Sequence, residues 1–387
     1  MLYSISVYAT TFAISIFGLS KYQKNMDRKN MENIHIRGER RLENLFWIVL
    51  ILLPPVLIAA FRDSNVGTDY LSYQRIFNAI KRYSLKEYMQ YKGTITFNIE
   101  YGYWCICRIV YRLGGSFIWA NFISEFLIIF FMWRGLVWFH KKYDINMALG
   151  MYLFYMIQYG YGLNGIRFSI GAAICFYALK FLLEKKPLLY ILVCLFALLF
   201  HNIIFIALLF YAVNIFNNKT MKKPALTVIL IAFFLIIIEL DELLRLISRF
   251  TFLERYFNNY GINESAAYGW GIWLFVIPLF IPLIFFWRKA RKKSEKIQIL
   301  FILTLLYIPF RFLGYYNQWI SRPLRLAELY LCAAVPCLIA AVDSNKNKKL
   351  LKLYYISFSL VWYVFNYVIL NASKTYPFAW ISLGGGN

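Results

Sequence analysis

Apolar runs of about the length that crosses a lipid bilayer recur along nearly the whole chain, and they restrict its fold more than any other feature. A helical span needs about 20 mostly apolar residues. The chain has 387 residues, of which 61% are apolar and only 16% charged, and its mean hydropathy is +0.55. A soluble core of this size does not need so much apolar surface. We therefore predict an all-α, polytopic integral membrane protein.

We expect about 10–12 transmembrane helices, some of them short or re-entrant, in one membrane domain over 1–387. The predicted spans lie near 2–19, 45–61, 116–139, 147–160, 167–183, 225–239, 271–287, 298–316, 323–342 and 353–371. The first span has no basic segment before it and no small-residue cleavage site after it, so we expect it to be retained.

The net charge of +23 is carried mainly by short segments between spans. Lysine and arginine concentrate in cytoplasmic loops of membrane proteins, so this charge does not indicate nucleic acid as a partner. It suits anionic membrane lipids or phosphate-bearing substrates. The segments assigned to the cytoplasm are 20–44, 140–145, 184–187, 217–224, 288–297 and 343–352.

Two segments do not fit a simple series of spans. Segment 188–216 lies between two basic segments, so it either forms two short helices turning near His201-Asn202 or one span that inverts everything after it. Broken helices inside a membrane occur where they are buried in protein or line a watery cavity. Segment 101–115 carries Arg108 and Arg112, and parity favours an outer-face helix at the bilayer edge over a short span.

The outer loop 62–100 opens with a dense polar string that contains Gly67-Thr68-Asp69-Tyr70. Gly67 permits a tight turn, and Thr68 or Asp69 is suited to cap the next helix. Apolar residues at helical spacing from Tyr73 to Tyr83 predict an amphipathic helix that lies on the lipid surface. A role in covering a site for an anionic lipid is compatible with that position. Interfacial tyrosines such as Tyr70 and Tyr73 act as membrane anchors or as stacking platforms for sugar rings.

Further polar residues stand at unexpected depth in the later apolar runs. Arg167 follows Asn164 at the start of a span, after the run Gln158-Tyr159-Gly160-Tyr161-Gly162. We interpret this as backbone N–H groups and a guanidinium near one point, which suits a phosphate. His201 follows an apolar run, and it is either a core residue or a general base in an outer cavity.

Late in the chain, Arg311, Arg322, Arg325 and Glu328 flank an aromatic string. They form either an ordinary interface belt, with Glu328 pairing to Arg325, or a second phosphate clamp. No metal motif is present, so we expect no metal and no cofactor. The six cysteines lie in apolar context and are expected to be buried thiols.

Taken in order, these motifs resemble the EpsG family. Arg62 with the Gly67–Tyr70 motif and Tyr73 resembles the family's opening, and Glu100-Tyr101-Gly102 follows. Asn164 to Arg167 is similar to its Asn-x-x-Arg-Gln helix, with Phe168 in place of Gln. Phe200-His201-Asn202 is similar to its Phe-His-Ser element, with Asn202 in place of Ser. The segment Arg322–Tyr330 and the tail Tyr376-Pro377-Phe378 also fit.

The resemblance implies a Wzy-type polysaccharide polymerase of exopolysaccharide or capsule synthesis in the bacterial cell membrane, with its active site facing outside. Its substrates would be undecaprenyl-diphosphate-linked oligosaccharides, and a chain-length regulator and a flippase of the same pathway are implied as partners. We predict catalytic roles for His201, Asp69 and Arg167. The predicted substrate-binding residues are Arg62, Thr68, Tyr70, Tyr73, Glu100, Asn164, Arg322 and Arg325. The alternatives are a transporter or flippase of the same lipid-linked sugar, and a membrane acyltransferase.

Overall fold

A computed structural model describes residues 2–28, 37–91, 99–211, 271, 273–286, 288–289, 292, 294–313 and 322–381. In this part of the chain the secondary structure is helical, apart from one isolated antiparallel bridge between Arg62 and Trp380. Five helices are long and apolar enough to cross a membrane, and shorter apolar helices accompany them. The prediction of an all-α, multi-pass membrane protein is confirmed.

The helices are numbered in chain order. The first unit of the fold begins with α1 (Leu2–Arg28), α2 (Arg37–Ala60), α3 (Tyr70–Arg82), α4 (Leu85–Tyr91), α5 (Tyr101–Arg112), α6 (Phe117–Tyr143), α7 (Met147–Phe154), a π-helix (Tyr155–Tyr159), one α-turn (Gly160–Gly162), α8 (Ile166–Leu183), α9 (Pro187–Leu198) and a 3₁₀ turn (Asn202–Ile204). The later elements are α10 (Phe205–Phe210), α11 (Trp273–Phe285), α12 (Glu295–Leu305), α13 (Tyr307–Leu313), α14 (Arg322–Leu329), α15 (Leu331–Ala341), α16 (Asn345–Tyr363) and a second π-helix (Val364–Ile369).

The described chain divides into two compact units, 1–205 with 331–387 and 206–330. In the first unit, α1 packs on α2, α2 on α6, α6 on α8, and α8 on α9. Large apolar side chains that remain exposed on these helices, such as Leu192 and Phe196 of α9, are suited to contact lipid. The single membrane domain stays a prediction, and the predicted span 225–239 lies outside the described residues.

The helices next to the predicted basic loop 20–44 are longer than expected. α1 continues to Arg28 and α2 already begins at Arg37, so most of that segment is helical.

Helix α6 ends at Tyr143 because the next residue, Asp144, adopts a left-handed conformation with φ 52°. A non-glycine residue in that conformation ends the helical hydrogen-bond pattern.

Segment 187–210 is broken, as one of the two sequence interpretations requires. Pro187 starts α9, where the missing proline N–H costs nothing. α9 ends at Leu198, and a 3₁₀ turn at Asn202–Ile204 precedes α10. His201 therefore stands in the break with extended backbone, between two short helices.

The apolar face of α3 is covered by protein. Tyr70, Tyr73, Phe77 and Ile80 of α3 are all buried. Phe77 and Tyr70 contact the ring of Phe117, and α3 packs on α5. The predicted amphipathic helix is present, and its apolar stripe faces protein because α5 and the start of α6 cover it. Its position at the lipid surface stays a prediction. α5 has 12 residues, about 18 Å, which is too short to span a bilayer core.

Candidate functional site

The loop after α2 is held in place by the C-terminal tail of the chain. The backbone N–H of Asp63 donates to Ala379 at 2.8 Å, and that of Ile381 donates to Phe61 at 2.8 Å. Further along the loop, Gly67 N–H donates to the carbonyl of Lys374 at 2.8 Å. These backbone bonds join segments more than 300 residues apart in sequence, so the tail is part of the site's scaffold.

Arg62 is fully buried, and its guanidinium bonds to backbone. Nε donates to the carbonyl of Val66 at 3.1 Å, Nη1 to Ala59 at 2.6 Å and Nη2 to Leu163 at 2.6 Å. The ring of Tyr70 lies 5.2 Å from the guanidinium carbon. This geometry favours a structural role for Arg62, because each nitrogen is already used to fix the loop against α2 and the segment before α8.

Asn164 is the second anchor of the same loop. Its Oδ1 accepts from the backbone N–H of Thr68 at 2.8 Å, and its Nδ2 donates to the carbonyl of Ser373 at 2.8 Å. Gly67 adopts φ 109°, and a Cβ there would lie 2.6 Å from Asn164 Oδ1. We call Arg62, Asn164, Gly67 and the tail residues 373–381 the loop anchor. It explains why a glycine precedes Thr68: both the conformation and the close approach exclude a side chain.

Tyr70 and Tyr73 are buried, with protein against their rings. Tyr73 has 6% of its surface exposed and meets the ring of Tyr103 edge-on at 5.4 Å. Burial raises the pKa of Tyr73 above its usual range, while neighbouring Arg167 works in the opposite direction. Neither tyrosine presents a face on which a sugar ring could stack in this conformation.

Arg167 sits at the centre of a second group, which we call the Arg167 cluster: Tyr73, Glu100, Arg167 and Asn202. Arg167 Nη1 forms an ion pair with Glu100 Oε2, and its guanidinium carbon lies 5.9 Å from the Tyr73 ring. The other oxygen of Glu100 accepts from the backbone N–H of Asn202 at 3.3 Å. Glu100 thus links the first turn of α8 to the break that contains His201.

Gly102 brings α5 close to this break. Its backbone N–H donates to the carbonyl of Leu199 at 2.6 Å, and a Cβ would lie 2.7 Å from that oxygen. The sequence Glu100-Tyr101-Gly102 therefore has a physical basis. The glutamate binds Arg167 and Asn202, and the glycine lets the two backbones meet.

His201 is half-buried and its ring is oriented by local contacts. Nδ1 accepts from the backbone N–H of Ile203 at 3.2 Å, and the Phe168 ring meets the imidazole edge-on at 5.6 Å. Because Nδ1 is the acceptor, the neutral ring carries its hydrogen on Nε2. Phe168, which replaces the family's usual glutamine, contributes packing to His201 and no hydrogen bond from its side chain.

Asp69 and Thr68 are exposed at the start of α3. Asp69 occupies the N-cap position, but its side chain makes no capping hydrogen bond. Of the two residues suited to cap α3, Asp69 thus holds the N-cap position without a side-chain bond there, and its carboxylate is available for other chemistry. Its negative charge raises the pKa of Tyr73, which is a member of the Arg167 cluster, so Asp69 lies close to that cluster.

The Tyr-Gly run before Asn164 is helical, and phosphate binding beside Arg167 stays a prediction. Residues 155–159 form a π-helix, and Gly160–Gly162 continues it as an α-turn. Gly160 is required because the Tyr367 ring lies 2.6 Å from where a Cβ would stand. The run is helical, so its backbone N–H groups are directed along the helix axis. π-helical turns of this kind are frequent at functional sites.

Arg322 and Arg325 belong to the second unit. Arg325 Nη1 forms an ion pair with Glu328 Oε2 at 2.8 Å, three residues on in the same helix. The pairing interpretation of Glu328 is confirmed. Substrate binding by Arg322 and Arg325 stays a prediction.

Sequence reasoning missed one acid inside a membrane span. Glu125 of α6 has 3% of its surface exposed, and Arg62 is the charged group that acts on it. One turn earlier, Asn121 Nδ2 donates at 3.0 Å to Ala59, whose carbonyl also accepts from Arg62. The sequence does carry a signal for Glu125, because an acid stands alone within the apolar run 117–143. Ionisable groups inside membrane spans are costly and usually have a role.

Five cysteines are buried as expected, but Cys105 of α5 is exposed. Within the described residues, no three or more His, Cys, Asp or Glu side chains are grouped so that they could hold a metal ion. The absence of a metal and of a cofactor stays a prediction.

Fold and site together define a multi-pass, all-α membrane protein in which the ion pair of Glu100 and Arg167 lies between the polar loop and the broken helix. The model of the EpsG family matches residues 45–380, so the chain belongs to the EpsG family. Membership supports a polysaccharide-polymerase-like, glycosyltransferase-like role in general. Comparisons with curated proteins and with solved structures give no match.

Proposed function

We propose that this protein polymerises glycan repeat units carried on undecaprenyl diphosphate, at the outer face of the bacterial cell membrane and without a metal ion. The observation that carries the proposal is the Arg167 cluster, in which Glu100 ties a partly accessible arginine to the helix break at His201. Membership of the EpsG family supports a polysaccharide-polymerase-like role in general, and the lipid-linked substrate is part of the proposal. A chain-length regulator and a flippase of the same pathway are the proposed partners.

The outer-face assignment rests on the distribution of charge along the helices. Arg167 lies at the start of α8, and Lys185 and Lys186 follow its other end. The helix has 18 residues, so about 27 Å separates the two ends. Since the lysine-rich end faces the cytoplasm by the usual rule, the cluster belongs to the opposite face.

In the proposed reaction, an acceptor hydroxyl oxygen attacks the anomeric carbon of the donor sugar. The new glycosidic C–O bond forms while the C–O bond to the diphosphate breaks, and its electron pair leaves with the lipid diphosphate. Arg167, 21% exposed at its side chain, offsets the charge that develops on this leaving group. Glu100 keeps the guanidinium oriented, because the ion pair fixes one of its edges.

The contacts of the two side chains favour different roles for Asp69 and His201. Asp69 is exposed and its side chain makes no capping hydrogen bond, so its carboxylate is suited to act as the base that takes the proton of the acceptor hydroxyl. His201 accepts at Nδ1 and carries hydrogen on Nε2, which suits a donor to the leaving diphosphate. Asp69→Asn then removes the base, whereas His201→Gln retains a hydrogen-bond donor and keeps more activity.

The test uses purified full-length protein with lipid-diphosphate-linked repeat units, without nucleotide sugar or metal, and resolves products by size. We expect a ladder of longer glycans and release of free lipid diphosphate. Arg167→Lys should lower the rate at least about tenfold, since lysine lacks the planar fork. Arg75→Lys, on the exposed side of α3, is the matched control and should not change it. Movement of the lipid-linked sugar between liposome leaflets with no ladder would instead favour the transporter.

A further inference from the structure

A cleft of about 230 Å³ opens in the first unit, beside the lysines near the start of α16. It lies between the segment that joins α6 to α7 and the hairpin formed by α15 and α16. Its apolar floor includes Leu149, Pro336 and Ile339, and Lys348, Lys349 and Lys352 of α16 line its other side. The cleft therefore combines an apolar base with three cations, at the end opposite to the Arg167 cluster.

The residues that line this cleft carry more positive than negative charge. The first turn of α16 contains no acidic residue, although a helix N-terminus carries partial positive charge. Lys348, Lys349 and Lys352 lie within the first eight residues of this helix, and Asp144 is the one acid among the residues that line the cleft. An anion bound here would offset the excess of positive charge in this lining.

The apolar surroundings indicate what kind of anion fits. Leu149, Pro336, Ile339 and Ala340 make the rest of its lining largely apolar, beside the three lysines. A free phosphate gains nothing from an apolar lining, whereas the glycerol and acyl part of a lipid buries apolar surface there. We infer that this cleft binds the head group of an anionic phospholipid from the leaflet at that end, with the lysines on the phosphate and the start of an acyl chain against Leu149, Pro336 and Ile339.

The inference is tested on the full-length protein in detergent, by counting phosphatidylglycerol molecules that stay bound in native mass spectrometry as the lipid is titrated. The variant K348Q/K349Q/K352Q should bind roughly a hundredfold more weakly, since each lysine near an anionic surface contributes about tenfold or less. Ala340→Phe fills the cleft without changing charge and should also weaken binding. The control K24Q/K141Q/K142Q removes three exposed lysines that do not line the cleft.

Loss of binding in both cleft variants, with the control unchanged, supports a lipid site. Equal loss in the control overturns it, since the lysines would then attract lipid only as general surface charge. Competition by inorganic phosphate as effective as by phosphatidylglycerol also overturns it, in favour of a soluble anion. All variants are compared after confirming an unchanged elution volume, and the readout is independent of polymerase activity.

Discussion

Asn164 Oδ1 lies 2.8 Å from the backbone nitrogen of Thr68, although 96 residues separate the two in sequence. The same side chain donates to Ser373 on the tail. One amide side chain therefore joins three distant segments directly beside Arg167. The loop with the Gly67–Tyr70 motif is thus part of a rigid scaffold, and changes far from Arg167 should alter the site.

Gly67→Ala should destabilise the protein more than Gly114→Ala. Both glycines have positive φ, so both substitutions cost about 1–2 kcal/mol for the left-handed backbone. Only Gly67 has an obstacle, Asn164 Oδ1 at 2.6 Å from the new Cβ, whereas nothing lies within 4 Å at Gly114. Thermal unfolding in detergent should show a lower Tm for Gly67→Ala. Equal Tm losses would mean that the Asn164 contact does not matter.

Glu100→Gln should reduce polymerisation at least about tenfold while the protein still folds. The amide keeps an oxygen for Asn202 N–H but loses the charge that pairs with Arg167, and a hydrogen bond to a charged group contributes about 1.5–3 kcal/mol. Glu184→Gln is the control, because that glutamate pairs with Lys186 at the opposite end. The initial rate of ladder formation is the measurement, and an unchanged rate would remove Glu100 from the positioning of Arg167.

Truncation after Leu370 should abolish activity, whereas truncation after Ile381 should not. The longer deletion removes the partners of Asp63, Gly67 and Asn164, so the loop loses its anchor. The shorter deletion keeps all of these bonds. Protease cleavage near residues 63–69 provides a readout separate from catalysis: it should increase only in the longer deletion, and resistance there would show that the tail is dispensable for the loop.

Thiol-reactive reagents should modify Cys105 and leave Cys107 unmodified. Burial raises the pKa of Cys107 to about 12, so at pH 7–9 it remains a neutral thiol, and the thiolate is the reactive form. Cys105 is exposed on the same helix. Peptide mass spectrometry after maleimide treatment measures both, and Cys105→Ser should remove the α5 signal. Labelling of Cys107 at pH 8 would contradict the packing of α5 on α3.

The membrane class and the family could be predicted from the sequence, which also offered the break at His201 as one of two interpretations. Each depends on a local or ordered signal: apolar length, two basic segments too close together, and motifs in a fixed order. The apolar stripe of α3 could also be predicted, because apolar residues at helical spacing show that one face of the helix is apolar. It does not show what covers that face, which in α3 is protein from α5 and the start of α6.

What only the tertiary structure decided is how distant residues pair. The sequence alone suggests that Arg62 binds a ligand, whereas in the fold its guanidinium donates to three backbone carbonyls. Glu100 reads as a motif residue, but folding sets it between Arg167 and Asn202. The physical reason is that a buried charge takes whatever partners the packed backbone brings within hydrogen-bond distance, and those partners lie about a hundred residues away for Leu163 and Asn202.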